Sequence, residues 1–320
     1  MKQFFQSSAR LILSAVCAVV FVSASFAQTT MTGEWKATVK AENFGGHDDE
    51  FGDKAQRKNE NKADKLQLSF YRSSEKGGKS QNGSSFAYTD LQGLSREQAL
   101  SGGAVKFSIV REAGTIECEG VFQNGKGTGT FRFTSSAQFV AGMKTRGFDF
   151  EKSTAKSGRD TTDEQLFAAA MINVTTAHAD DLIAANFGNL DIDDLFKAAI
   201  FKVDSKFMRE MKASGFPNLG MEELVKARIF KIDGEFLREL NANGFGSEPF
   251  EHVVKMRIFK ITPEFINGVR AEGFDKISIE ELVKMKIFNI NSEFIRQARA
   301  EGVPMDIEKL VQKRIGVFGR

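Results

Sequence analysis

Cysteine is nearly absent from this 320-residue chain, which has only Cys17 and Cys118. With Cys17 inside an apolar leader, no internal disulfide remains, and the fold must be held by packing. Histidine is as scarce: His47, His178 and His252 share no metal-ligand spacing, and the sequence implies no metal and no cofactor. An excess of one charge is missing too, with 44 Lys and Arg against 42 Asp and Glu. Without Lys2 and Arg10, which lie in an acid-free stretch of 27 residues, each sign counts 42. That balance argues against nucleic-acid binding and against polybasic attachment to a membrane. The apolar run Leu11 to Val22 has twelve residues. As a helix it would cover about 18 Å, well short of the ~30 Å hydrocarbon core, so no stable membrane insertion is expected.

That run instead follows Lys2 and Arg10 and precedes Ser25-Phe26-Ala27, the order of a cleavable signal peptide. Residues 1–27 are read as the leader, with Gln28 as the first residue of a periplasmic or secreted bacterial protein. Lipidation is rejected because Cys17 follows Val16 in mid-run.

Residues 28–134 read as a β domain. Leu66, Leu68 and Phe70 alternate with Lys65, Gln67 and Ser69, and Val105, Phe107 and Ile109 with Lys106 and Ser108. Lys106 to Phe133 reads as a three-strand meander with turns at Glu112-Ala113-Gly114 and around Asn124-Gly125. A further strand, Glu34 to Lys40, carries the only tryptophan, Trp35. The expected form is a small antiparallel sandwich or open barrel, with a short helix started by a Ser95/Gln98 capping box. Cys118 alternates with Ile116, Gly120 and Phe122 and reads as a core thiol. Residues 41–64 are charged and polar apart from two phenylalanines and read as a mobile loop. His47-Asp48-Asp49-Glu50 within it is a solvated tract rather than a metal site. Gly125, Gly127 and Gly129 resemble half of a nucleotide loop, but they lead into a strand, where the phosphate-cradling mechanism does not apply.

Residues 135–320 repeat. Phe207, Phe236, Phe265 and Phe294 recur every 29 residues, as do Gly215, Gly244, Gly273 and Gly302, and Ile200, Ile229, Ile258 and Ile287. The unit is two short helices, A and B, each too short to stand alone. Asp204, Asp233, Thr262, Asn291 and Thr175 fall where helix A needs an N-cap, and the glycines, with Asn186 in their place one period earlier, where a left-handed residue ends it. Helix B starts are expected at Thr162, Asp191, Gly220, Ser278 and Asp306. Phe139 to Phe148 matches Phe207 to Phe216, with Ser136 as cap, which gives six helix pairs; a polar insertion around Phe150 to Asp160 separates the first. The fold class is therefore α+β, a β domain followed by a solenoid-like helical array.

Helix B carries two basic columns, Lys226, Lys255 and Lys284, and Arg228, Arg257 and Lys286, while Lys202, Lys231 and Lys260 follow the helix. They are the candidate binding residues, a ridge for an anionic ligand. The same cations also suit helix carboxyl ends, and Arg228 falls near the apolar arc, so that Glu235, Glu264 or a helix terminus is its expected partner. The phenylalanine columns read as core.

Arg257 to Ile266, Gly273-Phe274 and Ile279-Glu280-Glu281-Leu282-Val283 resemble repeats of bacterial extracytoplasmic proteins, found also in the soluble carboxyl-terminal parts of BlaR-type membrane metallopeptidases. Phe107 to Phe133, with Arg111-Glu112-Ala113-Gly114 and Gly125 to Gly129, resembles the domain that often precedes them. The resemblance implies an accessory or sensing module. No His-Glu-x-x-His motif occurs here, so no peptidase residue carries over, and Phe259-Lys260-Ile261 replaces the usual Gly-Val turn. The leading expectation is a non-catalytic extracytoplasmic interaction or sensing module whose repeats bind a protein or peptide. The alternatives are a binder of an anionic envelope polymer through the lysine columns, or a hydrolase or transferase using carboxylates at the domain junction. The acids Glu117 and Glu119 share one side of a strand but have no companion base or nucleophile.

Overall fold

The computed structural model describes residues 30–39, 65–73, 79–152, 161–186 and 188–317. The leader, the 41–64 loop and its His47-Asp48-Asp49-Glu50 tract lie outside the described residues. Among the described residues, alternating side chains build six strands: β1 (Thr30–Val39), β2 (Lys65–Ser73), β3 (Lys79–Ala87), β4 (Gly103–Arg111), β5 (Gly114–Gln123) and β6 (Lys126–Ser135). They form one antiparallel sheet in the order β3-β2-β1-β6-β5-β4. Two meanders, β1-β2-β3 and β4-β5-β6, are thus joined side by side, with Trp35 of β1 opposite Gly129 of β6.

Among the described residues the strands form a single open sheet, which corrects the expectation of a sandwich or barrel. A helix, not a second sheet, covers its apolar face. Helix α3 (Thr162–Met171) inserts Phe167 among Phe70, Phe131 and Phe133, with ring centroids 5.4–5.6 Å apart. The short α1 (Arg96–Ser101), capped by Ser95 and Gln98 as expected, packs by β5. Trp35 is fully buried, edge-on to Phe107 at 5.4 Å, and donates from Nε1 to the Glu119 carbonyl at 3.2 Å. The glycines of this region make room for it. A Cβ on Gly120 would meet the Thr128 carbonyl at 2.2 Å, and one on Gly129 the Glu119 carbonyl at 2.0 Å. At Gly127 the Trp35 ring would lie 2.7 Å away, so the spaced glycines serve backbone and ring approach. Cys118 is buried, and burial pushes its thiol pKa up.

The array pairs helices in six repeats. The A helices are α2 (Ala137–Thr145), α4 (Thr176–Ala184), α6 (Ser205–Ala213), α8 (Gly234–Ala242), α10 (Pro263–Arg270) and α12 (Ser292–Ala300). The B helices are α3, α5 (Ile192–Phe201), α7 (Met221–Ile229), α9 (Phe250–Ile258), α11 (Ile279–Ile287) and α13 (Ile307–Arg314). Helix B stacks on the next helix B, as α5 on α7 and α9 on α11, and helix A on the next helix A, as α4 on α6 and α10 on α12. That is solenoid stacking. The expected caps hold: Ser136, Thr175, Asp204, Asp233, Thr262 and Asn291 each accept from the amide three residues on. The α3 cap is Thr161, one residue before the position expected.

Each glycine of the column has φ between 79° and 98°, and most face open space, so backbone conformation and not crowding selects glycine there. A second left-handed column ends helix B: Asn173, Lys202, Lys231, Lys260 and Asn289, with φ of 51–57°. The next residue then donates back into the helix, as Ile232 to Ala227 at 2.8 Å and Ile261 to Met256 at 2.9 Å, and buries its side chain. Phe150, expected in a polar insertion, is instead buried against Phe139 and Phe196; residues 153–160 lie outside the described residues.

Candidate functional site

The two basic columns have different surroundings, and neither is an open ridge. Lys226 Nζ lies 2.7 Å from Glu251 and Lys255 Nζ 3.6 Å from Glu280, while Lys284 pairs with Glu308. Each lysine thus reaches the first turn of the next helix B, where a carboxylate also suits the helix dipole. The hydrogen bond that Lys226 donates to Glu251 holds its amine above the usual range. Sequence reasoning missed the first rung: Lys197 sits one period before Lys226 and bonds Glu222 at 2.5 Å.

The second column lies over the phenylalanines of helix A. Arg228 stacks 3.7 Å from the Phe207 ring centre, Arg257 4.6 Å from Phe236, and Lys286 Nζ 4.2 Å from Phe265. Arg257 Nε also donates to the Phe230 carbonyl at 3.1 Å, at the carboxyl end of the preceding helix B. Arg314, the uncounted last member, repeats both contacts on Phe294 and Phe288. The expected acid partners of Arg228 are corrected. It faces Phe207 and lies 3.8 Å from the cap Asp204, not Glu235 or Glu264, because a residue near the end of helix B overlies the helix A start of its own pair. Lys286 has its amine pKa lowered, by burial first and by the charge of Lys260 second.

Further staples were invisible one residue at a time. Asp181 accepts from the Ser205 amide at 2.7 Å and Glu210 from the Gly234 amide at 2.9 Å, so these two repeats each cap the helix A of the next. Glu112, in the β4–β5 turn, does the same for Thr176 at 2.8 Å. The β domain therefore docks on the array through the contact that the repeats use among themselves. The junction is otherwise filled by Phe167 and its three partner rings, with Arg72 paired to Glu164. Glu117 and Glu119 share the outer face of β5, exposed. Lys106 lies 2.6 Å from Glu119 and its hydrogen bond holds that carboxyl below the usual range. Among the described residues no cluster of three or more His, Cys, Asp or Glu side chains has metal-binding geometry, and no helix is long and apolar enough to cross a membrane.

Large apolar side chains also remain exposed on the array. Ile200, Ile229, Ile258, Ile287 and Ile315 are 43–55% exposed, although the rest of each helix B apolar set is covered. They lie at or next to the last residue of their helices, Ile200, Ile229, Ile258 and Ile287 each three residues past a lysine of the ladder. On a helix, i and i+3 are neighbours, so the isoleucines form one row along the stacked B helices. Along the chain the ladder lysines Lys197, Lys226, Lys255 and Lys284 precede them by three residues, and the exposed Lys202, Lys231 and Lys260 follow the first three isoleucines by two. Compared with known proteins, the chain matches no family model, no curated protein and no solved structure.

Proposed function

We propose that this protein is a non-catalytic extracytoplasmic interaction module that holds a protein or peptide partner along its helical repeats, on the isoleucine row. One observation carries the reading. Five large apolar side chains recur at the same exposed helix end in successive repeats, where a fold that needed no partner gains nothing from them. Single exposed apolar residues are ordinary; a row in register on a stacked array is a linear binding surface of the kind solenoids present. The order of charge, apolar run and small residues in 1–27 supports export, and the resemblance to sensing and accessory repeats points the same way.

The polymer-binding alternative through Lys226, Lys255 and Lys284 has less support, since each lysine is engaged by a carboxylate of the next repeat. The junction enzyme has less still. Its acids are exposed on the sheet, away from the Phe167 junction, and Glu119 is held ionised by Lys106, the wrong state for a general acid. The test is photo-crosslinking in the host from a photoreactive residue at Ile258. A discrete adduct that vanishes when Ile229 and Ile287 are changed to Ser is the expected result. Absence of any adduct, with the variant folded and exported, overturns the reading.

A further inference from the structure

One B helix departs from the others at its first turn. Asp194, Glu223 and Glu281 are each the third residue of their helix, and each accepts from the amide of its own N-cap, Asp191, Gly220 and Ser278. In α9 the cap is Pro249, which has no N–H to donate. An acid in the third place would have nothing to accept there, and the sequence has His252 instead.

Both nitrogens of this ring meet carboxylates. Nδ1 lies 2.8 Å from Glu248 Oε2, in the loop before α9, and Nε2 3.2 Å from Glu280 Oε1, in the first turn of α11. A neutral imidazole has one N–H, so one of these contacts sets a lone pair against a carboxylate oxygen; an imidazolium donates at both. Lys255 Nζ reaches the same Glu280 oxygen at 3.6 Å, the longest rung of the ladder. We infer that His252 is an acid-closed latch between the fourth and fifth repeats, which joins α9 to α11 when its ring is protonated and releases one of its two carboxylates when it is neutral.

The charges around the ring set the direction. Lys255, one turn on, and the amino end of the α9 dipole oppose a cation here, whereas Glu248 and Glu280 attract it in direct contact. The neighbouring acids are engaged elsewhere, Glu251 by Lys226 of α7 and Glu281 by the amide of Ser278. The Glu280 carboxyl is held below its usual range, first by its own backbone amide and then by the charges of His252 and Lys255, so it stays ionised across the pH 5–8 interval in which histidines change charge. His178 works the opposite way: its Nδ1 accepts from the Thr175 amide at 3.2 Å, a contact that protonation removes. Because an array is stabilised interface by interface, closing this one holds the last two repeats against local opening.

The test is amide hydrogen exchange of the mature chain, wild type against His252→Gln, read by mass spectrometry at pH 5.5 and pH 8. Comparing two proteins at one pH cancels the intrinsic exchange rate and every other group that titrates in both. The side chains of His252 and Glu280 are 29% and 57% exposed, so Gln at either place keeps the fold, which circular dichroism checks. The expected result at pH 5.5 is exchange in α11 about threefold faster in the variant, the scale of a partly exposed ion pair, with equal exchange in the two proteins at pH 8. In a Glu280→Gln background the acid difference in α11 is lost, because His252 then has only Glu248 of its own repeat to bind. An equal ratio at both pH values, a larger ratio at pH 8, or an acid difference that survives Glu280→Gln overturns the inference.

Discussion

The sheet and the helical array solve the same packing problem with opposite economies of distance. In the sheet, β1 lies between β2 and β6, nearly a hundred residues on, and Trp35, Phe70, Phe131 and Phe133 form one cluster that no part can leave alone. In the array, the staples link neighbours 24–27 residues apart, as Asp181 to Ser205 and Arg257 to Phe230. The sheet is thus sensitive at its centre, while the array distributes its stability over many small, repeated contacts. This difference also explains the surfaces. A repeat can keep one position exposed in every copy without opening a core, and the isoleucine row is that position.

The largest effect is expected at the centre of the sheet. Trp35→Ala should cost roughly 3–5 kcal/mol, followed by circular dichroism in denaturant, since the only tryptophan is lost. A cost like that of an array substitution would show that the sheet core is not continuous. Glycines sharpen the contrast. Gly129→Ala forces a Cβ into the Glu119 carbonyl and should cost about 1–3 kcal/mol or more, an overpacking effect. Gly244→Val in the array should cost about 1–2 kcal/mol, for its left-handed backbone alone, and Gly244→Asn should restore most of the loss, as Asn186 shows. Should Asn fail to restore it, close packing rather than φ selects the glycine.

Within the array, Arg257→Gln should lower stability by about 1 kcal/mol through loss of the Phe236 stack and the Phe230 hydrogen bond. Changing Lys226, Lys255 and Lys284 together to Gln should leave the denaturation midpoint near the wild-type value, because exposed pairs contribute little. Equal losses in the two proteins would erase the distinction drawn between the columns. The smallest effect is a pH dependence. The Ser205 hydroxyl and amide hold the Asp181 carboxyl below its ordinary range. Its contribution is therefore complete above the unfolded value of about 3.9 and declines as pH falls through the lower folded value. Asp181→Asn should be less stable than wild type at pH 7, and the gap should narrow in melts below pH 3; a gap that widens there breaks the assignment.

The sequence by itself determined the parts whose causes are local. The 29-residue period, the caps from Ser136 to Asn291 and the glycine column follow from backbone groups that must be satisfied within one helical turn. The strand alternation and the burial of Cys118 follow from a period of two. The tertiary structure alone decided that helix α3 takes the place of a second sheet, because the covering surface for Phe131 and Phe133 comes from more than thirty residues downstream, and alternation in a strand says which face is buried but not what buries it. It decided the pairing of the lysine ladder with the next repeat, where a basic column and an acidic column are equally compatible with solvent until the stacking brings them together. It also decided that the isoleucines are exposed. On the helical wheel they border both the apolar arc and the charged face, and only the neighbour's position settles which of the two they join.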